Sequence, residues 1–334
     1  MNKKKILSSG LFFVIGVTLF WLVYRDFNFR ELTNSLKDIK FGWIIISISF
    51  GLLSHFIRAL RWKMLVETMG YKPTIINLFL SVIILYFTNL IIPRGGEVSR
   101  CAVLTKYEKI PFAKLVGTVF FERITDLFAF LLILLILVIW QFNFFDTIMN
   151  YPDFKLDFSS IKVKILPAIL VLILIAVLAF VLVRFKIFNK IFRKLKKLKS
   201  DFLDGIMVIK QMQEKPRYII YTLLIFFFWI VMLFAVFFAY PPTNKLSFNV
   251  AVLTFAFGNL AYLLPIQAGI GAWHFIVINC LFFFGIDKES GMIFALIAHT
   301  FTNLIFLIFG PIALALLPFV NNSDPRNQDI IPEK

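Results

Sequence analysis

The sequence predicts an all-α polytopic membrane protein, with about six full transmembrane helices and two re-entrant broken-helix hairpins arranged as an inverted repeat. Three observations predict it. The 334-residue chain is 60% hydrophobic, with a mean hydropathy of +0.86, whereas a soluble domain is usually about half apolar. Uncharged apolar runs of the ~20 residues needed to cross a bilayer recur along its length, without the alternating pattern of a membrane barrel. Two of the apolar regions are interrupted by Pro-Gly breaks, IPRGGE and LPIQAGIGAW.

Taken in order, six segments are long enough to cross: 6–24, 43–64, 112–140, 164–184, 217–240 and 291–318. Lys3, Lys4 and Lys5 precede the first. It lacks a small-x-small cleavage site, so it reads as an uncleaved helix with its N-terminus inside. Segment 25–42 carries mixed charge and falls outside, and Lys72 then falls inside. Loop 141–163, with Asp146, Asp153 and Asp157, reads as outside. The run 184–199 has eight Lys and Arg and no acid, so it must be inside by the positive-inside rule. For both ends to fit, 73–110 enters and leaves on the inner side. The same count places 248–290 on the outer side. The breaks FTNLIIPRGG and FGNLAYLLPIQAGIG share an aromatic-x-Asn-Leu, then Pro, then Gly, as two copies of an inverted-topology repeat would. Residues 1–320 therefore read as one transmembrane domain, with inverted halves at about 43–140 and 217–318. A basic cytoplasmic amphipathic segment occupies 184–215, and a short polar tail 321–334. Both termini are expected in the cytoplasm and the chain in the inner membrane.

Several function classes drop out. The net charge of +16 comes from basic loops between apolar runs, which argues for anionic lipid headgroups at 184–199 rather than nucleic acid. Two distant cysteines, Cys101 and Cys280, make neither a disulfide framework nor a metal site. Nucleophile elbow, P-loop, zinc-protease and dinucleotide fingerprints are all missing. No enzyme activity, cofactor or metal is expected.

The residues that would carry function sit at the breaks and inside one helix. Pro93 removes a backbone donor, while Gly95 and Gly96 permit positive φ. They would end one half-helix and start another near Glu97, where backbone amides, Arg94 and Arg100 would attract an anion. Glu122, Arg123 and Asp126 lie in FFERITDLFAF, with Glu122 ~15 Å along the helix from Phe112, about half the hydrocarbon thickness. Charges at that depth mark a functional site by default. An internally neutralised cluster, closed by Arg94, is the competing reading for Asp126. In the second helix Arg58 shares a face with His55 and Trp62 and would face the cavity of the first break. The blander alternative makes Arg61 and Lys63 positive-inside anchors and Trp62 a belt aromatic, and it is the preferred one for Lys63. The second break offers Pro265, Gly269 and Gly271 for backbone freedom, with Gln267 and His274 as polar groups. His299, Thr302 and Asn303 read as packing glue.

These motifs resemble the lysylphosphatidylglycerol synthase transmembrane region family, also called the flippase-like domain family. The resemblance rests on Arg58, Arg61 and Trp62; on Asn89, Pro93, Gly96, Glu97 and Arg100; on Glu122, Arg123 and Asp126; and on Pro265, Gly269 and Gly271. It spans about residues 10–320. It implies lipid translocation; read with the residues, the cargo is a charged-headgroup lipid (aminoacyl-, phospho- or glyco-) whose phosphate would be held by Arg94, Arg100, Arg123 and half-helix amides. Glu97, Glu122 and Asp126 would balance those arginines or bind an amine. Two alternatives stand beside it: a secondary transporter of a small anionic solute, and a non-transporting partner of a separate glycosyl- or aminoacyl-transferase. Membrane lipid, such a transferase and a second copy of the chain are the candidate partners. The family often has Glu where this chain has His274, which implies a different lipid preference. Larger members fuse this region to an aminoacyl-transferase domain. The sequence ends soon after its last apolar segment, so that half is expected to be absent.

Overall fold

The computed structural model describes residues 3–25, 27–92, 95–140, 207–208, 210–263 and 266–322. Pro93, Arg94, Pro265, loop 141–163, segment 164–184, the basic run 184–199 and nearly all of the tail lie outside the described residues. What is described is entirely helical. Helix α1 spans Lys3–Tyr24, and the short α2 spans Phe29–Lys37. Helix α2 is capped by Asn28, whose Oδ1 accepts from Arg30 N at 3.1 Å. Helices α3 (Phe41–Thr68), α4 (Ile75–Ile91), α5 (Gly96–Glu108) and α6 (Phe112–Trp140) follow. After the undescribed stretch come α7 (Lys215–Ala239), α8 (Phe248–Leu260), α9 (Ala272–Phe282) and α10 (Lys288–Asn322).

Three of these helices, α3, α7 and α10, are long and apolar enough to cross a membrane among the described residues. Helix α6 has 29 residues and carries its charges in its first half. Ile219, Leu223 and Phe227 form an exposed stripe at four-residue spacing on α7. Such a stripe suits hydrocarbon, where apolar side chains outside the core carry no penalty. The protein is a multi-pass helical membrane protein.

Helices α3 and α7 form an antiparallel pair. Lys40 N donates to Ala239 O at 3.0 Å, Ser47 Oγ to Met232 O at 2.8 Å and Ser54 Oγ to Ile225 O at 3.2 Å. Small residues let the two backbones approach: a Cβ on Gly51 would lie 2.8 Å from Met232 Sδ. The Thr68 end of α3 therefore lies where α7 begins, and the Phe41 end where α7 stops.

A helical hairpin follows each member of this pair. The first is α4–α5. Glu108 Oε1 at its end accepts from Thr74 N (2.9 Å), Thr74 Oγ1 (2.8 Å) and Asn77 Nδ2 (2.7 Å) at its start. The hairpin thus opens and closes at the Thr68 end of α3. The second is α8–α9. Thr254 Oγ1 lies 3.6 Å from Cys280 Sγ, and Gly258 lies against Trp273 and Val277. It opens and closes at the Ala239 end of α7. At the other extreme of this hairpin, a short turn over Gln267–Gly269 packs against α4. The two hairpins start from opposite ends of the α3–α7 pair, and they meet where the Gln267–Gly269 turn packs against α4.

The breaks differ in chemistry. Gly269 and Gly271 take φ of 68° and 81°, as their positions in the second break require, and Ala268 also sits at 49°. Gly95 has φ −76°, and neither Gly95 nor Gly96 uses the positive φ expected of it. Gly96 is needed for a different reason: a Cβ there would collide with Leu85 O of α4. Helix α5 starts under the side chain of Asn89, whose Oδ1 accepts from Gly96 N at 2.8 Å.

Helices α1 and α10 close the assembly. Gly271 meets the α1 backbone at Gly16 and Phe20, and Tyr24 OH donates to Met292 O at 3.1 Å. Helix α10 runs antiparallel to α4. Asn77 and Asn321 exchange amide hydrogen bonds at 2.8 Å, and the Phe87 ring packs onto Gly310.

Candidate functional site: a buried ion cluster beside an aromatic cavity

Arg58 and Arg61, three residues apart on α3, both turn toward α6. Arg58 Nη1 lies 2.7 Å from Glu122 Oε1 and 2.9 Å from Asp126 Oδ2. Arg61 Nη2 lies 2.7 Å from Asp126 Oδ1 and 3.2 Å from Glu122 Oε1. Arg100, on the second half of the first hairpin, brings Nη2 to 3.1 Å from Glu122 Oε2. Glu122 and these three arginines have no solvent exposure. Each guanidinium is also covered by a ring: Arg100 by Trp62 (4.4 Å to the centroid), Arg58 by Trp229 (5.0 Å) and Arg61 by Tyr218 (5.4 Å). Those contacts offset part of the desolvation cost. Trp62 Nε1 donates to Thr118 Oγ1 at 3.0 Å, and Arg61 Nη1 to Thr222 Oγ1 at 3.0 Å.

The anchor and belt alternatives for Arg61 and Trp62 do not hold. Neither is an anchor at the membrane surface, and both are fully buried. Lys63 pairs with Glu67 at 3.6 Å on the half-exposed side of α3, as an anchor would.

Arg123 differs from the other arginines. It keeps 37% of its side chain exposed. Its contacts are looser: 3.7 Å to Glu97, 3.5 Å to Glu122 and 3.4 Å to Asp126. Among the described residues of the cluster, four guanidiniums face three carboxylates, which leaves one positive charge in excess.

Arg123, Glu97 and Asp126 open onto a cavity of about 770 Å³. Both breaks contribute to its wall, Asn89 and Leu90 from the first, Tyr262, Ile266 and Ala268 from the second. The cavity expected at the first break is thus shared with the second. The rest of the wall is mainly aromatic, with Tyr86, Trp229, Phe255 and Phe306 among its members, joined by the amides Asn259 and Asn303 and the aliphatic Leu127, Met232 and Leu233.

Of the expected site residues, Asn89, Glu97, Arg123 and Asp126 line the cavity. Arg58, Arg100 and Glu122 stand directly behind them and do not line it, although Arg58 was expected to face it. Gln267 and His274 are buried but do not line it either. His274 is wedged between Phe20 and Tyr24 of α1 and the ring of His299, at 5.2, 5.6 and 4.5 Å. Its Nδ1 accepts from Gly271 N at 3.4 Å, which makes it a helix-start support. His299 Nε2 lies 2.8 Å from Ala268 O, in the packing role expected of it. Trp229, Tyr218 and Thr222 escaped sequence reasoning because an aromatic or Thr in an uncharged apolar run carries no signal of its own.

Fold and site together define a multi-pass helical membrane protein in which two hairpins and a buried arginine–carboxylate cluster border a largely apolar cavity with one charged end. The chain belongs to the family described as the lysylphosphatidylglycerol synthase TM region, whose match covers residues 9–310. It is also 28% identical over 141 residues to a UPF0104 membrane protein of Methanocaldococcus jannaschii. That stretch is 41% of this chain and 42% of that relative's length, so the chain spans less than half of the relative it matches. No solved structure matches the chain.

Proposed function

We propose that the protein is a lipid translocase that carries a charged-headgroup lipid across the inner membrane, and that it does no covalent chemistry. The observation that carries this reading is the cavity itself. It joins a charged end at Arg123 to an aromatic end within one enclosure of about 770 Å³, a size suited to a small molecule or headgroup. A lipid headgroup needs both ends: ion pairing for its phosphate, and apolar walls where acyl chains leave it.

Three features support an alternating-access mechanism. The hairpins enter from opposite ends and meet at the cavity, as in an inverted repeat with two re-entrant segments. Six full crossings, including the undescribed segment 164–184, complete the proposed architecture. Charge supports its orientation: Lys72, Lys106, Lys109, Lys114, Lys210, Lys215 and Arg217 gather at the Thr68 end of α3, as on a cytoplasmic face. Arg123 is the group proposed to hold phosphate, because its loose ion pairs can be exchanged for phosphate oxygens while the buried arginines stay in place. The sequence carries no nucleotide-binding loop, so movement runs downhill or is coupled to a gradient.

The test is lipid scrambling in proteoliposomes, with wild type and Arg123→Ala side by side. Movement of one headgroup class in wild type, lost in a well-folded Arg123→Ala protein, is expected. Competition by soluble headgroup analogues without acyl chains would shift the assignment to a solute transporter. Co-purification with a transferase and silent liposomes would shift it to a partner subunit.

A further inference from the structure

The aromatic end of the cavity begins at Trp229. Arg58, held by Asp126, covers this ring from the cluster side, and Trp229 itself lines the cavity. From Trp229 the wall runs two ways. Phe255 lies 6.4 Å away, and Asn259 follows it one turn later on α8. His55 lies 6.4 Å away on the other side and contacts Phe306 at 5.1 Å, and Asn303 precedes Phe306 by one turn on α10. Both amides are fixed by their own helices. Asn259 Nδ2 donates to Phe255 O at 2.8 Å, and Asn303 Nδ2 to His299 O at 2.7 Å. Each side chain retains its Oδ1 and a second N–H for a ligand.

Three chemistries compete for such a wall. An ammonium suits aromatic faces in general. Here Arg58 already sits on Trp229, the adjacent cluster carries an excess positive charge, and the two carboxylates of the wall, Glu97 and Asp126, are both engaged by Arg123. A second cation is repelled. An acyl chain fits the rings but leaves the Oδ1 and second N–H of each amide without a partner from the ligand. A sugar or cyclitol ring fits both. Its C–H face meets the electron-rich ring faces, and its hydroxyls both donate to Oδ1 and accept from N–H.

Resting on the lipid-translocase reading, we propose that this cavity selects lipids whose phosphate bears a neutral polyhydroxylated ring, a sugar or cyclitol phosphodiester, over lipids bearing an amine. The phosphate pairs with Arg123 and the ring lies along Trp229 between Asn259 and Asn303.

Binding tests this separately from transport. Dioctanoyl phosphatidylinositol, phosphatidylserine and phosphatidylethanolamine are titrated into the detergent-solubilised full chain by calorimetry. Phosphatidylinositol and phosphatidylserine carry the same net charge, so their difference reads the ring against the ammonium–carboxylate pair of serine, and phosphatidylethanolamine supplies the ammonium alone. Phosphatidylinositol is expected to bind about tenfold more tightly than phosphatidylserine. Asn259→Leu and Asn303→Leu, on different helices so that one misfolded variant does not end the test, are each expected to remove most of that preference. Equal or tighter binding of the amine lipids, an unchanged preference in both folded variants, or no binding at all overturns the proposal. Selective binding without scrambling in proteoliposomes overturns the translocase reading and leaves the headgroup selectivity in place.

Discussion

Glu122 and Arg58 sit 2.7 Å apart with neither side chain reached by solvent. Arg61 and Arg100 reach the same carboxylate at 3.2 and 3.1 Å. Removing Glu122 would leave three buried guanidiniums short of countercharge. Breaking a buried ion pair costs about 3–5 kcal/mol. Glu122→Ala should therefore lose most of its folded protein, read as a lower melting temperature and poor recovery from size exclusion in detergent. Glu122→Gln keeps an acceptor without the charge and should fall between. Arg123→Ala removes a side chain that is more than one-third exposed and should stay within about 1 kcal/mol of wild type. Equal stability for all three variants would show that the cluster has no structural role.

The tight approach of the two halves of the first hairpin makes a second prediction. A methyl group at Gly96 would meet Leu85 O, and α5 would have to move off α4. Gly96→Ala should cost roughly 1–3 kcal/mol, as overpacking does. Gly42 has nothing within 4 Å of its Cβ position and lies in the first turn of α3. Gly42→Ala should be neutral or mildly stabilising, since it restricts the unfolded chain. Paired thermal melts of the two variants check both statements.

The placement of these residues explains what the sequence could reveal. Charges within an apolar run are conspicuous, so Glu122, Arg123 and Asp126 stood out. Pro and Gly letters likewise marked both hairpin turns. The sequence could not tell which arginine faces the cavity. Spacing puts Arg58 and Arg61 on one side of α3, but only the rotation of α6 against it buries both and leaves Arg123 at the wall. His274 misled for a similar reason. Its partners Phe20 and Tyr24 come from α1, more than 200 residues earlier, and no local pattern announces that helix α1 docks on the second break. Gly95 and Gly96 were legible as a break, but the close contact to Leu85 O depends on how tightly α5 folds back.

Outside the membrane-spanning segments, Asp287 gives a pH dependence with a definite sign. Its Oδ1 accepts from Ser290 N at 2.9 Å ahead of α10, as an N-terminal helix cap does. Burial is the largest single effect and raises its carboxyl, but the hydrogen bonds from Ser290 and from the Asp287 and Glu289 backbone together outweigh it and hold the group below the ordinary aspartate value. A depressed carboxyl contributes stability above its unfolded pKa of about 3.9 and loses it as pH falls through the folded value. Asp287→Asn should therefore be less stable than wild type near neutral pH, by up to about 1 kcal/mol. The gap should close as pH drops below about 4. Melting both proteins across that range checks the sign, and a gap that widens in acid would contradict it.

The entry sides of the two hairpins make the most consequential prediction. Lys72 and Lys109 flank the first hairpin, Lys245 and Lys288 flank the second, and all four are exposed. Cys101 and Cys280 are buried, so they should give little background to an impermeant thiol reagent. Cysteines placed singly at Lys72 and Lys109 should both stay unlabelled in intact cells and label once the membrane is opened. Cysteines at Lys245 and Lys288 should both label in intact cells. The Glu108–Thr74 contacts tie the two ends of the first hairpin together, so its two flanks cannot label from opposite sides unless that contact is broken in the membrane. The antiparallel α3–α7 pair sends the second hairpin in from the other end. If all four positions label from one side, the cavity cannot be reached alternately from the two leaflets by these hairpins. Lipid movement would then need another route through the protein.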